Sequence, residues 1–234
     1  MRESLRFEGK ITCATVSCTA GCWFVSISVE TDLSIVPCEN QAWTVGVDLG
    51  VKRLATFSDG RFVDGPKPLR SVLRRLRRLS RGLSRKTKGS RNRDKAKLWV
   101  ARCHARVAGI RSDALHKLTT NLVRTYGRIV IEDLNVKGMG RNRRLSRAIA
   151  DMGFGKFRRQ LEYKQALSES EVLVADRWFP SSRLCTRCNA LNEGLTLNDR
   201  IFNCDGCGHR EDRDLNAARN LERYPGLRGN RYAS

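Results

Sequence analysis

Residues 43–65 read "WTVGVDLGVKRLATFSDGRFVDG". Trp43, Val45 and Val47 alternate with smaller or polar residues, which is the two-residue period of a strand. Gly50 interrupts the run, "RLATF" resumes it, "SDG" supplies a turn, and "RFV" adds a third short strand. The stretch therefore predicts a β-meander, with Asp48 near the end of its first strand.

Outward from there the pattern changes twice. Upstream, "KITCATVSCTAGCWFVSISVE" alternates around "TAG" and predicts a hairpin, and "IVPCENQA" reads as a linker. Downstream, residues 67–111 hold 17 Lys or Arg and one acid, Asp94. Leu69, Val72, Leu73, Leu76, Leu79 and Leu83 recur at helical spacing, so this basic run is a helix with one apolar face. "RKTKGSRNRD" is a loop. A second helix is expected from about 95 to 126, with Leu115, Leu118 and Leu122 inward. "GRIVIEDLN" reads as a buried strand ending in Glu132 and Asp133. "VKGMGRNRRLSRAIAD" reads as a basic, Gly-interrupted loop, "FGKFRRQLEYKQALSES" as a helix, and "EVLVADRWF" as a strand. "DLNAARNLERY" is a last helix and "PGLRGNRYAS" a tail. Strands and helices in this order predict an α/β fold, a mixed sheet with helices packed on it. In it Asp48 and Glu132 end neighbouring strands, and Asp214 opens the final helix.

The chain has 234 residues, a formal charge of +21 and a pI near 10.4. That excess favours a polyanion, and nucleic acid above all. No apolar run long enough for a membrane and no signal core is visible, so a membrane partner and export are not expected. Nine cysteines, an odd number with four in paired spacing, fit a reducing cytoplasm better than a disulfide scaffold.

Cys185-x-x-Cys188 and Cys204-x-x-Cys207 carry the spacing of a structural zinc site. Each pair places two thiolates on a tight knuckle, and four close a tetrahedron with no open position. An intervening hairpin is expected to bring the pairs together. His209 is not needed as a ligand. Cys13, Cys18, Cys22, Cys38 and Cys103 lack ligand spacing. Trp99 and Trp178 could stack on bases, but core aromatics are commoner, and neither is assigned a role.

Asp48, Glu132 and Asp214 raise a second possibility. Carboxylates gathered at one sheet edge can hold two Mg²⁺ ions about 4 Å apart for phosphodiester hydrolysis. Each acid also has a plain reading: a turn cap, a solvated strand end, or, for Asp212 and Asp214, a helix cap.

"VGVDLGVKRLATFSDG", "IVIEDLNVKGM", "FGKFRRQLEYK" and the cysteine segment running into "DRDLNAARN" resemble the C-terminal half of TnpB. These OrfB-type insertion-sequence proteins are RNA-guided nucleases related to the type V CRISPR effectors. The hairpin resembles the end of their β-rich wedge domain. The resemblance implies an RNase H-like, RuvC-type fold, with Asp48, Glu132 and Asp214 as its three catalytic acids. Asp48 would bridge the two Mg²⁺ ions, and Glu132 and Asp214 would each bind one. Asp214 is preferred to Asp212 because it stands two residues before "NAA". The implied organisation is a wedge remnant over 1–40 and a nuclease core over 41–180 with a basic helical insertion at about 67–126. A zinc ribbon over 181–210 and a last nuclease segment with the tail over 211–234 complete it. Family members are longer, so the expectation is an N-terminally truncated member.

DNA is the expected substrate, and guide RNA the family's partner. Arg74, Arg75, Arg77 and Arg78 in the basic helix, and Arg141, Arg143, Arg144 and Arg147 after the second acid, are the expected phosphate contacts. The basic run would line a groove beside the acids. The alternative is a nucleic-acid-binding relic of such a protein that no longer cuts.

Overall fold

The structure is a computed structural model that describes residues 4, 8–31, 35–196 and 199–227. The chain divides into two compact units, one of Met1–Ile35 with Pro68–Ser112, the other of Val36–Lys67 with Asp113–Ser234.

The first unit opens with the hairpin β1 (Lys10–Thr19) and β2 (Cys22–Glu30). Ala20 and Gly21 both take positive φ, 53° and 76°, the geometry of a two-residue turn whose twist suits a hairpin. The second unit starts the meander: β3 (Asn40–Asp48), β4 (Ala55–Phe57) and β5 (Phe62–Val63). The basic run forms α1 (Pro68–Ser84), and α2 (Arg91–Thr125) follows. In α1, Val72, Leu73, Leu76 and Leu79 are half-buried while Arg74, Arg75, Arg77 and Arg78 are exposed. The expected apolar face is there, and the cations sit opposite it.

Strand β6 (Tyr126–Glu132) is followed by α3 (Val136–Arg141) and α4 (Ser146–Met152). These two short helices replace the loop expected over this stretch. Asn135 starts the first, its side chain accepting the Gly138 N–H at 2.9 Å. Ile149 and Met152 hold the second by burying in the core, so packing overrides the weak propensity of a Gly- and Arg-rich segment. Gly153, at φ 75°, separates it from α5 (Phe154–Gln165). Strand β7 (Glu171–Ala175), the pair β8 (Ile201–Asn203) and β9 (Arg210–Asp212), and α6 (Arg213–Leu227) complete the chain. The last helix continues past the expected end at Tyr224, through Pro225. The remainder of the expected tail lies outside the described residues.

The main sheet runs β5-β4-β3-β6-β7. Strands β3, β6 and β7 are parallel, and β4 and β5 are antiparallel, so the sheet is mixed as expected. Central β6 is buried on both faces. Ile129 and Ile131 join Leu115, Leu118 and Leu122 of α2 and Phe154, Phe157 and Leu161 of α5 in one core cluster. Val130, between them, points the other way and packs with Leu221 and Tyr224 of α6. That is the strand period of two, with helices covering both sides.

Helix α6 lies unusually close to β3. A Cβ on Gly46 would meet the Ala218 carbonyl oxygen at 1.8 Å and the Glu222 nitrogen at 2.5 Å. Only glycine fits there, so Gly46 sets how near the last helix comes to the strand that carries Asp48. Among the described residues, no helix is long and apolar enough to cross a membrane.

Candidate functional site

Asp48 is the last residue of β3, and Glu132 the last of β6. Val47 is in register with Ile131, so the two acids leave adjacent parallel strands side by side. Asp214 stands in the first turn of α6. All three are partly buried. Their nearness shows in their electrostatics. Burial pushes the Asp48 carboxyl well above the usual carboxylate range, and Glu132, Asp214 and Asp212 push it further, against the pull of Arg213. Burial also raises Glu132, and Asp214 adds to it, while the Ser181 hydroxyl and Arg213 oppose. Like charges drawn together and partly out of water behave in this way. Hard oxygen donors under mutual repulsion are a set that divalent cations fit.

Three further residues shape this cluster; the sequence offered Asp212 as a helix cap, while periodicity and motif spacing singled out neither Ser181 nor Arg213. Ser181 donates its hydroxyl to Glu132 Oε1. The Arg213 guanidinium donates to Asp214 Oδ1 at 3.4 Å. Asp212 is exposed and faces the backbone of the helix start, where its Oδ1 accepts the N–H groups of Asp214 and Leu215 at 3.0 and 3.2 Å. It also makes an ion pair with Arg53 at 3.7 Å.

The four paired cysteines come together. Among the described residues, they are the one group of three or more His, Cys, Asp or Glu gathered tightly enough for a single ion, with all sulfurs within 4.8 Å of one another. Cys185 and Cys207 Sγ are 3.7 Å apart, and Cys188 and Cys204 Sγ are 3.5 Å apart. Zinc–thiolate bonds of about 2.3 Å make a tetrahedron with edges of about 3.8 Å, so the donor set fits zinc. The Cys207 backbone N–H holds the Cys204 thiol down to about 7, and the Arg187 N–H donates to Cys185 Sγ at 3.4 Å. The strand pair β8–β9 encloses the second knuckle rather than standing between the two, as the spacing had suggested. His209 faces Thr186 and Glu211 instead of the sulfurs. Cys38 and Cys103 are buried, and Cys13, Cys18 and Cys22 are exposed.

The ribbon is tied to the helix of the carboxylate cluster chiefly through backbone carbonyls. Asn216 and Asn220, a turn apart on α6, both donate to the Leu184 oxygen, at 2.8 and 2.6 Å. Asn220 also donates to the Ser181 oxygen at 2.8 Å. The motif "DLNAARN" thus carries Asp214 and the two amides that fix the segment from Ser181 to Cys185.

Arg141, Arg143, Arg144 and Arg147 are all exposed on or between α3 and α4. Trp99 and Trp178 are not core residues: they are 57% and 84% exposed.

A family model described as a probable transposase, OrfB_IS605, matches residues 24–143. A second, the Cas12f1-like TNB domain, matches residues 154–221. A Streptomyces pristinaespiralis protein provisionally named an RNA-guided DNA endonuclease is 47% identical over 202 residues, covering 86% of this chain and 50% of that protein. Escherichia coli K12 InsQ, under the same provisional name, is 38% identical over 235 residues, with 94% and 58% covered. The cryo-EM structure of a Cas12f1–sgRNA–target DNA complex superimposes with a TM-score of 0.54 at 15% identity, covering 88% of this chain and 55% of that chain. That likeness is one of fold. The chain spans about half the length of the curated relatives it matches.

Proposed function

The chain belongs to the OrfB family of probable transposases, and from that premise we propose that it carries the nuclease core of a TnpB-type, RNA-guided DNA endonuclease of a transposable element. The fold we assign is RNase H-like, of the RuvC type, with the cysteine ribbon inserted before the last helix. The observation that carries the reading is the meeting of Asp48, Glu132 and Asp214 at one end of the sheet, where each of the other two pushes the Asp48 carboxyl upward.

Asp48, Glu132 and Asp214 are the residues that would hold Mg²⁺, and three carboxylates offer oxygen ligands enough to be shared between two ions. When bound, such ions supply an acidified water and offset charge on the leaving oxygen of a phosphodiester. The chain's own groups do the rest. Ser181 fixes the Glu132 carboxylate by donating a hydrogen bond to one of its oxygens. Arg213 offsets part of the negative charge when the carboxylates stand alone. Asp212 fixes the first turn of α6 and so aims Asp214. Cys185, Cys188, Cys204 and Cys207 hold zinc as a closed structural site, and through Leu184 the ribbon supports the same turn.

DNA is the proposed substrate and guide RNA the proposed partner of the complete protein. Arg74, Arg75, Arg77, Arg78, Arg141, Arg143, Arg144 and Arg147 are the proposed phosphate contacts, since all are exposed and phosphate neutralisation dominates affinity. The test is cleavage of single-stranded and duplex DNA with Mg²⁺ or Mn²⁺, with and without co-purified RNA. Cutting that needs the divalent ion supports the reading. Tight binding without cutting under every condition supports the relic instead.

A further inference from the structure

Trp178 leaves 84% of its surface open, while its neighbour Phe179 is buried against Tyr224 with ring centroids 4.9 Å apart. A bare indole costs hydrophobic free energy in water, and Trp178 belongs to neither core cluster of the main sheet. Its backbone is nevertheless held from several sides. The Asp176 carboxylate accepts the Trp178 N–H at 2.8 Å. The Asp176 N–H donates to the Tyr224 hydroxyl at 3.1 Å. The Arg177 guanidinium donates to Asp133 at 2.6 Å. A large flat ring is therefore displayed in the open by a loop built to keep it in place.

What it faces gives the display a use. Trp178 lines a cavity of about 310 Å³ together with Glu132, Ser181 and Arg183, a size at the lower end for small-ligand sites. One wall holds a proposed catalytic carboxylate, and Arg183 adds an exposed cation. The other charged lining residues are engaged, Arg177 with Asp133 and Asp176 with the Trp178 N–H, so the aromatic face, the Arg183 cation and the Glu132 carboxylate are the groups set to meet a nucleotide's base, phosphate and the bond to be cut.

We propose that Trp178 is a stacking platform for a nucleobase of single-stranded nucleic acid, setting the register in which the strand passes Glu132. Single strands are the ligand because a base inside a duplex offers no free face. Stacking on an aromatic tolerates any base, so the platform positions without selecting sequence. The role beside Glu132 rests on the nuclease reading; the stacking itself does not.

The experiment irradiates the 234-residue chain with a short oligonucleotide carrying 5-iodouracil and maps the crosslink by mass spectrometry. Affinities for oligothymidylate and for an abasic oligomer of equal length are measured alongside, at raised salt so that phosphate contacts weigh less. The crosslink should fall on Trp178. Trp178→Ala should weaken oligothymidylate binding roughly 5- to 100-fold, Trp178→Phe should keep most of it, and neither should change abasic binding. A chain that crosslinks at Trp178 but never cuts keeps the platform and loses the nuclease reading. A chain that cuts, with its crosslink elsewhere and Trp178→Ala binding both oligomers as the wild type does, overturns the platform.

Discussion

The carboxylate of Asp212 accepts the backbone N–H of Asp214 at 3.0 Å. One aspartate of "DRD" thus caps the helix on which the other stands. Asp212→Asn keeps an acceptor at the cap and should leave both melting temperature and cleavage near wild type. Asp212→Ala should cost about 1 kcal/mol of stability, with a partial loss of cutting because Asp214 is less well aimed. Thermal melts beside cleavage rates check this. Cleavage abolished by Asp212→Asn would make Asp212 a ligand rather than a cap.

Zinc removal should act locally. Phe202 packs with Cys185 and Cys204 in a small cluster of their own, separate from the sheet core. Freshly purified, reduced protein should hold one zinc per chain by elemental analysis. Chelation, or Cys185→Ser, should then raise amide hydrogen exchange from about Leu184 to Arg210 while the five-stranded sheet stays protected, since metal binding supplies the folding energy of such modules. Exchange that rises equally in β3 and β6 would contradict a local role.

Binding should be steeply salt-dependent, and α1 should carry part of the slope. Arg74, Arg75, Arg77 and Arg78 project from its exposed face. Each duplex phosphate neutralised contributes about 0.9 to the slope of log K against log salt. Replacing the four with Gln should therefore flatten the slope by up to about 3–4 units, and an unchanged slope would put the contacts elsewhere.

One stability effect should run against the usual alkaline trend. Burial holds Lys164 down to about 8, with repulsion from Arg124 adding to it, although its ammonium donates to Thr119 and Thr120 at 2.7 and 2.6 Å. An unfolded lysine titrates near about 10.4. Between those values the unfolded chain binds a proton that the folded chain does not, so this group makes stability rise with pH there. Below about pH 8 its penalty is constant. The stability of wild type minus Lys164→Met, from urea midpoints, should climb across that window; a difference flat in pH would contradict it.

The sheet was readable because its signals are local. Alternation in residues 43–47, a glycine and an "SDG" turn define the meander, and an apolar run ending in two acids defines β6. Register and helix approach were not readable: Gly46 looks like any strand glycine until Ala218 is seen against it. Helices α3 and α4 were hidden because Gly138, Gly140 and a cluster of arginines outweigh Ile149 and Met152 in any short window. Ser181, Asn216 and Asn220 act through one or two hydrogen bonds each over 32 or more positions of sequence, which leave no periodic trace. Trp178 could not be assigned from sequence because aromatics are mostly buried, and only its surroundings show it 84% exposed.

The central claim is that Asp48, Glu132 and Asp214 work as one metal-holding unit. The most direct measurement is the single-turnover cleavage rate, with Mn²⁺ and candidate guide RNA, of the wild type, the three single alanine variants and the triple variant. Groups that act together lose nearly everything with the first deletion. Each single variant should therefore fall to the level of the triple, while nucleic-acid affinity, which rests on the cations, is unchanged or slightly higher. Wild-type cutting that persists in any one of the three single variants would contradict the account.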